Sequence, residues 1–443
     1  MASFGTRGAK RLGLLGGSAL ALSLTAAAVA PGAGAAAPAH PHVTGVTSTQ
    51  INIGATVPLS GPASPGYNEV AKAANAVFQY VNAKGGINGR KIKFSILDDQ
   101  YGFGGPSTLT QTQTLVNTDN VFATVGSLGT PTQDSVRDYL KTNGVPQLFV
   151  NSGSRDWNNP TKYPSLFGWQ PDYIVEAKIL GNWIKTHEAG KSVGFLGQDD
   201  DFGTDGLIGL RQEVTVKSAQ TYDVLGNFLT GVGTQIAALK AANVKVVYLD
   251  TVPAFTSKAL GAAAKIGFKP VWVISSVGAD PATVNNKLEN GAVSFTWLPA
   301  LGAKPTPWIT WGQKVLNAAS GVSAGLPGSK ASKKAIDGNV EYGLGWGATF
   351  VELLKATGAN LTPQTIVHTL ETQGASLPTP ALVPLAYSAS DHQGYKGGEV
   401  ITVSSPKDTA TVQAGTLATT GDGAGSGITK TAGVAQGIPA WLN

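Results

Sequence analysis

Residues 51–99 read INIGATVPLSGPASPGYNEVAKAANAVFQYVNAKGGINGRKIKFSILDD, and their pattern decides the fold. Residues 51–56 are a short, β-branched run stopped by Pro58 and Gly61, which predicts a strand. Tyr67–Ala83 then places Val70, Ala74, Val77, Phe78 and Val81 at helical spacing. Gly85-Gly86 ends that helix, Asn88-Gly89 is a turn signal, and 92–97 is the next strand. Strand, crossover helix and second strand form a right-handed βαβ unit, and hence a parallel sheet.

The rhythm continues outward. Helices are predicted over 107–118 and 132–142, with strands over 121–125 and 147–150. It restarts with a helix over 174–186. Strands over 193–196, 214–222, 244–249, 271–275 and 293–297 follow, spaced by helices over 205–213, 234–242 and 259–266. Two such runs predict an α/β chain of two doubly wound parallel-sheet lobes. The expected division is 46–169 with 298–390, and 170–297 with 391–415. Pro305, Pro307 and residues 321–334 read as a surface insertion, and 338–357 as a helix covering the first sheet. Residues 400–403 read as one more strand. Residues 416–443 fall in a Gly/Thr/Ala-rich stretch expected to be a mobile tail.

The first residues predict export. Arg7, Lys10 and Arg11 precede an apolar stretch over 12–30, and A-x-A sites follow, which is the pattern of a cleaved signal over 1–39. An uncleaved anchor is the alternative reading. The formal charge is +5, from 32 basic and 27 acidic residues. Losing the signal's three basic residues leaves 29 against 27, or +2, with no basic stripe, so no nucleic-acid partner is expected. Cysteine is absent, which excludes disulfides, thiolate nucleophiles and cysteine metal sites. A free, periplasmic or extracellular chain without a lipid tether is the expectation, and a monomer.

In an open parallel sheet, a ligand sits beyond the carboxyl ends of the strands. There Ser127, Leu128, Gly129 and Thr130 precede a helix, and two glycines at 126 and 129 let backbone N–H groups approach an oxygen-rich group. Ser152, Gly153 and Ser154 repeat that chemistry on the next strand end, with Arg155 beside them. Such residues also serve as plain turns and caps, but two sets on adjacent strand ends point to binding. In the second run the strand-end segments are 198–203, 250–255 and 275–278. Asp199, Asp200 and Asp201 read as a solvated helix start rather than a metal cluster.

Three stretches carry a family likeness: Pro58-Leu59-Ser60-Gly61-Pro62; residues 82–91 (NAKGGINGRK) with Asp98-Asp99; and Asp199-Asp200-Asp201-Phe202-Gly203. By these, residues 46–298 resemble the branched-chain amino-acid-binding proteins of ABC importers, which have a type I periplasmic-binding fold. The resemblance implies two lobes joined by a three-segment hinge, closing on a small molecule that a membrane permease then receives. It implies a ligand carboxylate at the loops matching 128–130 and 153–155, and ring contact at Phe202. Val252 or Pro253 falls where an aromatic is common. The family's acid for an α-ammonium falls at or near Val277, and residues 275–278 (SSVG) offer no carboxylate. A buried ammonium without counter-charge is costly. Asp250 is the other acid within reach, and Tyr67, Tyr101, Phe103, Phe202 and Phe255 supply an apolar or aromatic lining. The expected solute is therefore an organic acid, an aromatic acid or an amide, with an aliphatic amino acid as the alternative. A secreted sensor or scavenger of the same fold is a second reading.

Enzyme readings are weaker. Gly321-Val322-Ser323-Ala324-Gly325 matches G-x-S-x-G, but it follows a helix and enters a loop, whereas a nucleophile elbow follows a strand. A secreted hydrolase using Ser323 is the remaining alternative. There is no dinucleotide fingerprint, P-loop or H-E-x-x-H, so neither cofactor nor metal is expected.

Overall fold

A computed structural model of the chain describes residues 43–433, apart from 62, 106, 280–283, 285–286, 303–304, 333, 405–408 and 423–425. The predicted export signal lies outside the described residues, as do His40, His42 and Pro62. No helix among the described residues is long and apolar enough to cross a membrane.

The opening stretch folds as its pattern requires. Strand β1 (Gln50–Val57) pairs in parallel with β2 (Lys91–Asp98), from Gln50 opposite Lys91 to Val57 opposite Asp98. The helix between them runs Tyr67–Ala83 and buries Val70, Val77 and Phe78. Gly86 makes the tight return possible: its φ is 75°, and a Cβ there would lie 2.0 Å from the Arg90 carbonyl oxygen. β3 (Ala123–Val125), β4 (Gln147–Val150) and β5 (Leu166–Gly168) complete a parallel sheet of order β2-β1-β3-β4-β5.

The second sheet begins with β6 (Val193–Gln198), β7 (Val216–Tyr222), β8 (Val246–Asp250), β9 (Val271–Ile274) and β10 (Val293–Thr296), all parallel. β11 (Gly397–Ser404) joins β10 antiparallel, and β12 (Thr409–Val412) pairs with β11. The Gly/Thr/Ala-rich stretch after Gly415 supplies β13 (Ala418–Thr419) and β14 (Thr429–Lys430) to the sheet edge.

The chain passes between the sheets three times: after β5, after β10 and before β11. Each passage contributes one ring to a shared cluster. Trp169 lies 5.6 Å from Trp297 and 5.2 Å from Tyr395, and Trp297 lies 4.8 Å from Tyr395, centroid to centroid.

Pro307, expected in a surface insertion, instead opens a packed helix, while 324–334 holds no helix or strand among its described residues. Thr306 caps that helix over Pro307–Ala318, its hydroxyl accepting from the Ile309 N–H, and Trp308, Trp311, Val315 and Leu316 are buried. Pro307 sits at the helix start, where its missing N–H costs nothing. Ser323, in the short helix Ser320–Ser323, is fully buried and donates to the carbonyls of Leu316 and Ala319, so it is not presented as a nucleophile. The helix expected over 132–142 is two helices, Thr130–Asp134 and Arg137–Thr142. A helix over Pro363–Gln373 was not legible beforehand.

The helix Gly338–Thr357 lies against Tyr67–Ala83 through Gly343 and Gly347. A Cβ at Gly343 would stand 2.1 Å from the Val70 carbonyl oxygen, and one at Gly347 2.9 Å from the Ala74 Cα. The two backbones are therefore in close approach. Gly343→Leu should force them apart and cost about 3 kcal/mol, the upper part of the range for overpacking. Urea unfolding checks this; a change under about 1 kcal/mol would argue against the close approach.

Candidate functional site

The strand ends of the two sheets face a common cleft of about 190 Å³. From the first sheet it receives the loop after β3. There Gly129 takes φ 114° and Thr130 opens the helix Thr130–Asp134. Thr130 Oγ1 is 2.7 Å from Ser152 Oγ and 3.4 Å from the Tyr173 hydroxyl. After β2, buried Asp99 accepts from the Tyr101 N–H (3.0 Å) and the Thr108 hydroxyl (2.9 Å). That holds Tyr101 in a left-handed conformation, φ 55°, with its ring in the cleft wall.

The second sheet's side contributes Phe202, Val252, Ser276 and Val277. Asp200 caps the helix Asp201–Glu213 by accepting from the Phe202 N–H at 2.9 Å, so the acidic run is a helix start. The Phe202 ring packs 4.5 Å from that of Tyr173. The passages between the sheets add Gln170, Tyr173 and Trp297, and the start of Gly338–Thr357 adds Asp337, Glu341 and Tyr342.

Of the residues expected at the site, Tyr67, Tyr101, Leu128, Gly129, Thr130, Phe202, Val252 and Val277 line the cleft. The rest stand just behind it or at its rim. Ser127 Oγ accepts from the Thr56 N–H at 3.2 Å, and Ser152 braces Thr130. Gly153 lets the Tyr173 ring and the Pro171 carbonyl close in, and Ser154 Oγ accepts from the Asp156 N–H. Asp250 is fully buried against Gly206, where a Cβ would fall 1.8 Å from its Oδ2. Burial, with Glu176 nearby, pushes its carboxyl well above the ordinary range.

Two expected residues join the lobes instead. The Arg155 N–H donates to Asp205 Oδ2 at 3.0 Å, and its Nε lies 3.1 Å from Oδ1. Phe103 packs edge-on against Phe228 at 5.4 Å. Tyr101 adds a third link, its hydroxyl 3.4 Å from Gln198 Nε2.

The electrostatics are one-sided. Among the described residues, no Lys, Arg or His lines the cleft, whereas Asp337 and Glu341 do. Behind the lining, Glu176 accepts from the Ser276 N–H (2.6 Å) and hydroxyl (2.7 Å), and Asp172 caps the helix Tyr173–His187. Burial pushes both carboxyls up to about 7. Their folded values exceed those of an unfolded chain, so they favour the folded state fully below about pH 4 and lose that contribution as pH rises through 7. The melting temperature should accordingly be higher at pH 5.5 than at pH 8 in buffers of equal ionic strength. A higher value at pH 8 would contradict these burials.

Residues 50–310 match the family model described as periplasmic binding protein. The Leu/Ile/Val-binding protein homolog 3 of Brucella melitensis biotype 1 is 30% identical over 201 residues, covering 45% of this chain. The match spans about half of that relative's length, 53%. Among solved structures, a possible leucine/isoleucine/valine-binding protein from Rhodopirellula baltica SH 1 superposes with a TM-score of 0.69 at 20% identity, covering 83% of this chain and 97% of that one. A fatty acid ABC transporter substrate-binding protein from Thermomonospora curvata gives 0.68 at 18%, covering 83% and 92%. A branched chain amino acid ABC transporter from Thermus thermophilus with bound valine gives 0.67 at 14%, covering 82% and 96%.

Proposed function

Because the chain belongs to the periplasmic binding protein family, an extracytoplasmic family of substrate-binding proteins, we propose that it captures a small organic solute by lobe closure and delivers it to the permease of an ABC importer. The observation that carries this reading is the cleft itself: about 190 Å³, walled by strand-end loops of both sheets and by the passages that follow β5 and β10. A solute touching both walls binds the closed arrangement better than the open one, so binding shifts the population toward closure. The permease then meets a closed form. No bond is made or broken.

The solute's body would pack on Tyr101, Tyr173, Phe202 and Trp297. An oxygen-bearing end, such as a carboxylate or amide, would meet Thr130 Oγ1 and the free N–H groups opening its helix. Aromatic or organic acids, amides and aliphatic amino acids all carry such an end. In this reading the chain works as a monomer, exported free of a lipid tether.

Mass spectrometry of small molecules released from the purified protein tests the proposal, paired with X-ray scattering before and after the solute is restored. One solute per chain and a contraction on restoring it are expected. A protein that releases nothing and keeps the same scattering profile with every candidate solute would sink the reading.

A further inference from the structure

The cleft holds one group that the strand-end loops do not explain. Glu341 lies in the first turn of Gly338–Thr357, lines the cleft and is only 3% exposed. Its Oε1 has no hydrogen-bond partner among the described residues. Leaving a buried carboxyl oxygen unmatched is costly, more so when the group is charged. Natural sites keep such a cost where a ligand supplies the partner.

The surroundings say which partner. Asp337, the cap of the same helix, also lines the cleft, its Oδ1 accepting from the Val340 N–H at 3.0 Å. Glu69, from the helix Tyr67–Ala83, stands beside Asp337, and the charge of Lys334 acts on Asp337 more weakly in the opposite sense. Burial raises the Glu341 carboxyl well above its ordinary value, and Asp337 raises it further. Burial and Glu69 bring Asp337 up to about 7. An anionic group placed here would add to this repulsion. A cation relieves it, and the rings of Tyr67, Trp297 and Tyr342 in the same lining attract a cation further. The helix N-terminus favours the carboxylate form of Glu341 once a cation is present.

The geometry points to a solute bearing a protonated amine, whose N–H donates to Glu341 Oε1 while its apolar or aromatic body fills the rest of the cleft. This rests on the solute-clamp reading. It moves the amine's partner from the second lobe's strand end, where Val277 stands, to the first turn of the helix covering the first sheet. Size permits it: a cavity of about 150 Å³ takes benzene, so a ring with a short amine-bearing chain fits the larger space here.

Calorimetry at pH 7.5 tests this on the solute-free chain. The probes are 2-phenylethylamine, 2-phenylethanol and 3-phenylpropanoate. The amine should bind at least about tenfold more tightly than the other two. Glu341→Gln should lose that tenfold margin. It should keep its circular dichroism and a cooperative thermal unfolding transition, which shows it is folded. Glu341→Asp should retain the preference. Equal or tighter binding of the carboxylate, an unchanged amine affinity in Glu341→Gln, or no amine binding by the unsubstituted chain each overturns the assignment. A protein that releases a natural solute yet ignores the amine overturns Glu341 alone and leaves the clamp standing.

Discussion

Gly129→Leu should abolish solute binding while leaving a folded protein. Gly129 sits at φ 114°, a conformation L side chains avoid at a cost of about 1–2 kcal/mol. That strain is affordable in a chain of this size, but the side chain has nowhere to go. A Cβ there would lie 2.4 Å from Thr132 Oγ1 and 2.6 Å from the Tyr101 ring. Tyr101 is pinned at its N–H by Asp99 and at its hydroxyl by Gln198, so it cannot step aside without disturbing those hydrogen bonds. The leucine would therefore occupy the cleft mouth, block Thr130 and hold the lobes apart. The expected loss exceeds about 100-fold, equivalent to 2.8 kcal/mol. Calorimetry with the solute recovered from the unsubstituted protein reads it, and circular dichroism checks the fold. Retained affinity would place the solute somewhere other than between Gly129 and Tyr101.

Why Gly129 was legible and Glu341 was not is a matter of how each reaches the cleft. Parallel sheets bind at strand ends, so reading the strands gives the loops directly. Leu128, Gly129 and Thr130 follow β3, and Phe202 follows β6, with no long-range information needed. Glu341 arrives from far along the chain, on a helix whose pattern says only that it covers the first sheet. An acid in a helix's first turn is also an ordinary dipole-matching choice, so its type carried no signal. Elements missed in the fold share a similar cause. β5 has three residues, too few to show a period. The helix Pro307–Ala318 was hidden by a proline that begins it rather than breaks it. The split of 130–142 into two helices follows the early start at Thr130-Pro131, which the hydrophobic pattern alone places later.

Arg155 shows a different kind of shortfall: the residue was found and its work was not. It was expected near a ligand carboxylate, yet its guanidinium is half exposed and engages Asp205, a side chain 0% exposed on the opposite lobe. The pair acts on closure. Asp205 accepts from the Arg155 N–H and pairs in charge with its guanidinium, so opening exposes that carboxylate and frees a backbone donor. Asp205→Ala should weaken solute binding about 10- to 100-fold without touching the solute, in line with 1.5–3 kcal/mol for hydrogen bonds to a charged group. Asp205→Asn should lose less, because its amide oxygen still accepts from the Arg155 N–H. Burial raises the Asp205 carboxyl to about 7 in this arrangement, against the influence of Arg155. Opening to water returns it toward the ordinary carboxylate range, so the closed form holds the proton more tightly than the open one. Closure is thus favoured as pH falls from about 8 toward 5. The Asp205 contribution to solute affinity should rise over that range, and it should be missing in Asp205→Asn, which cannot titrate. The background from Asp337 and Glu341 is common to both proteins, so the difference between their pH profiles isolates the latch. Identical profiles would mean that Asp205 does not change its surroundings when the lobes part.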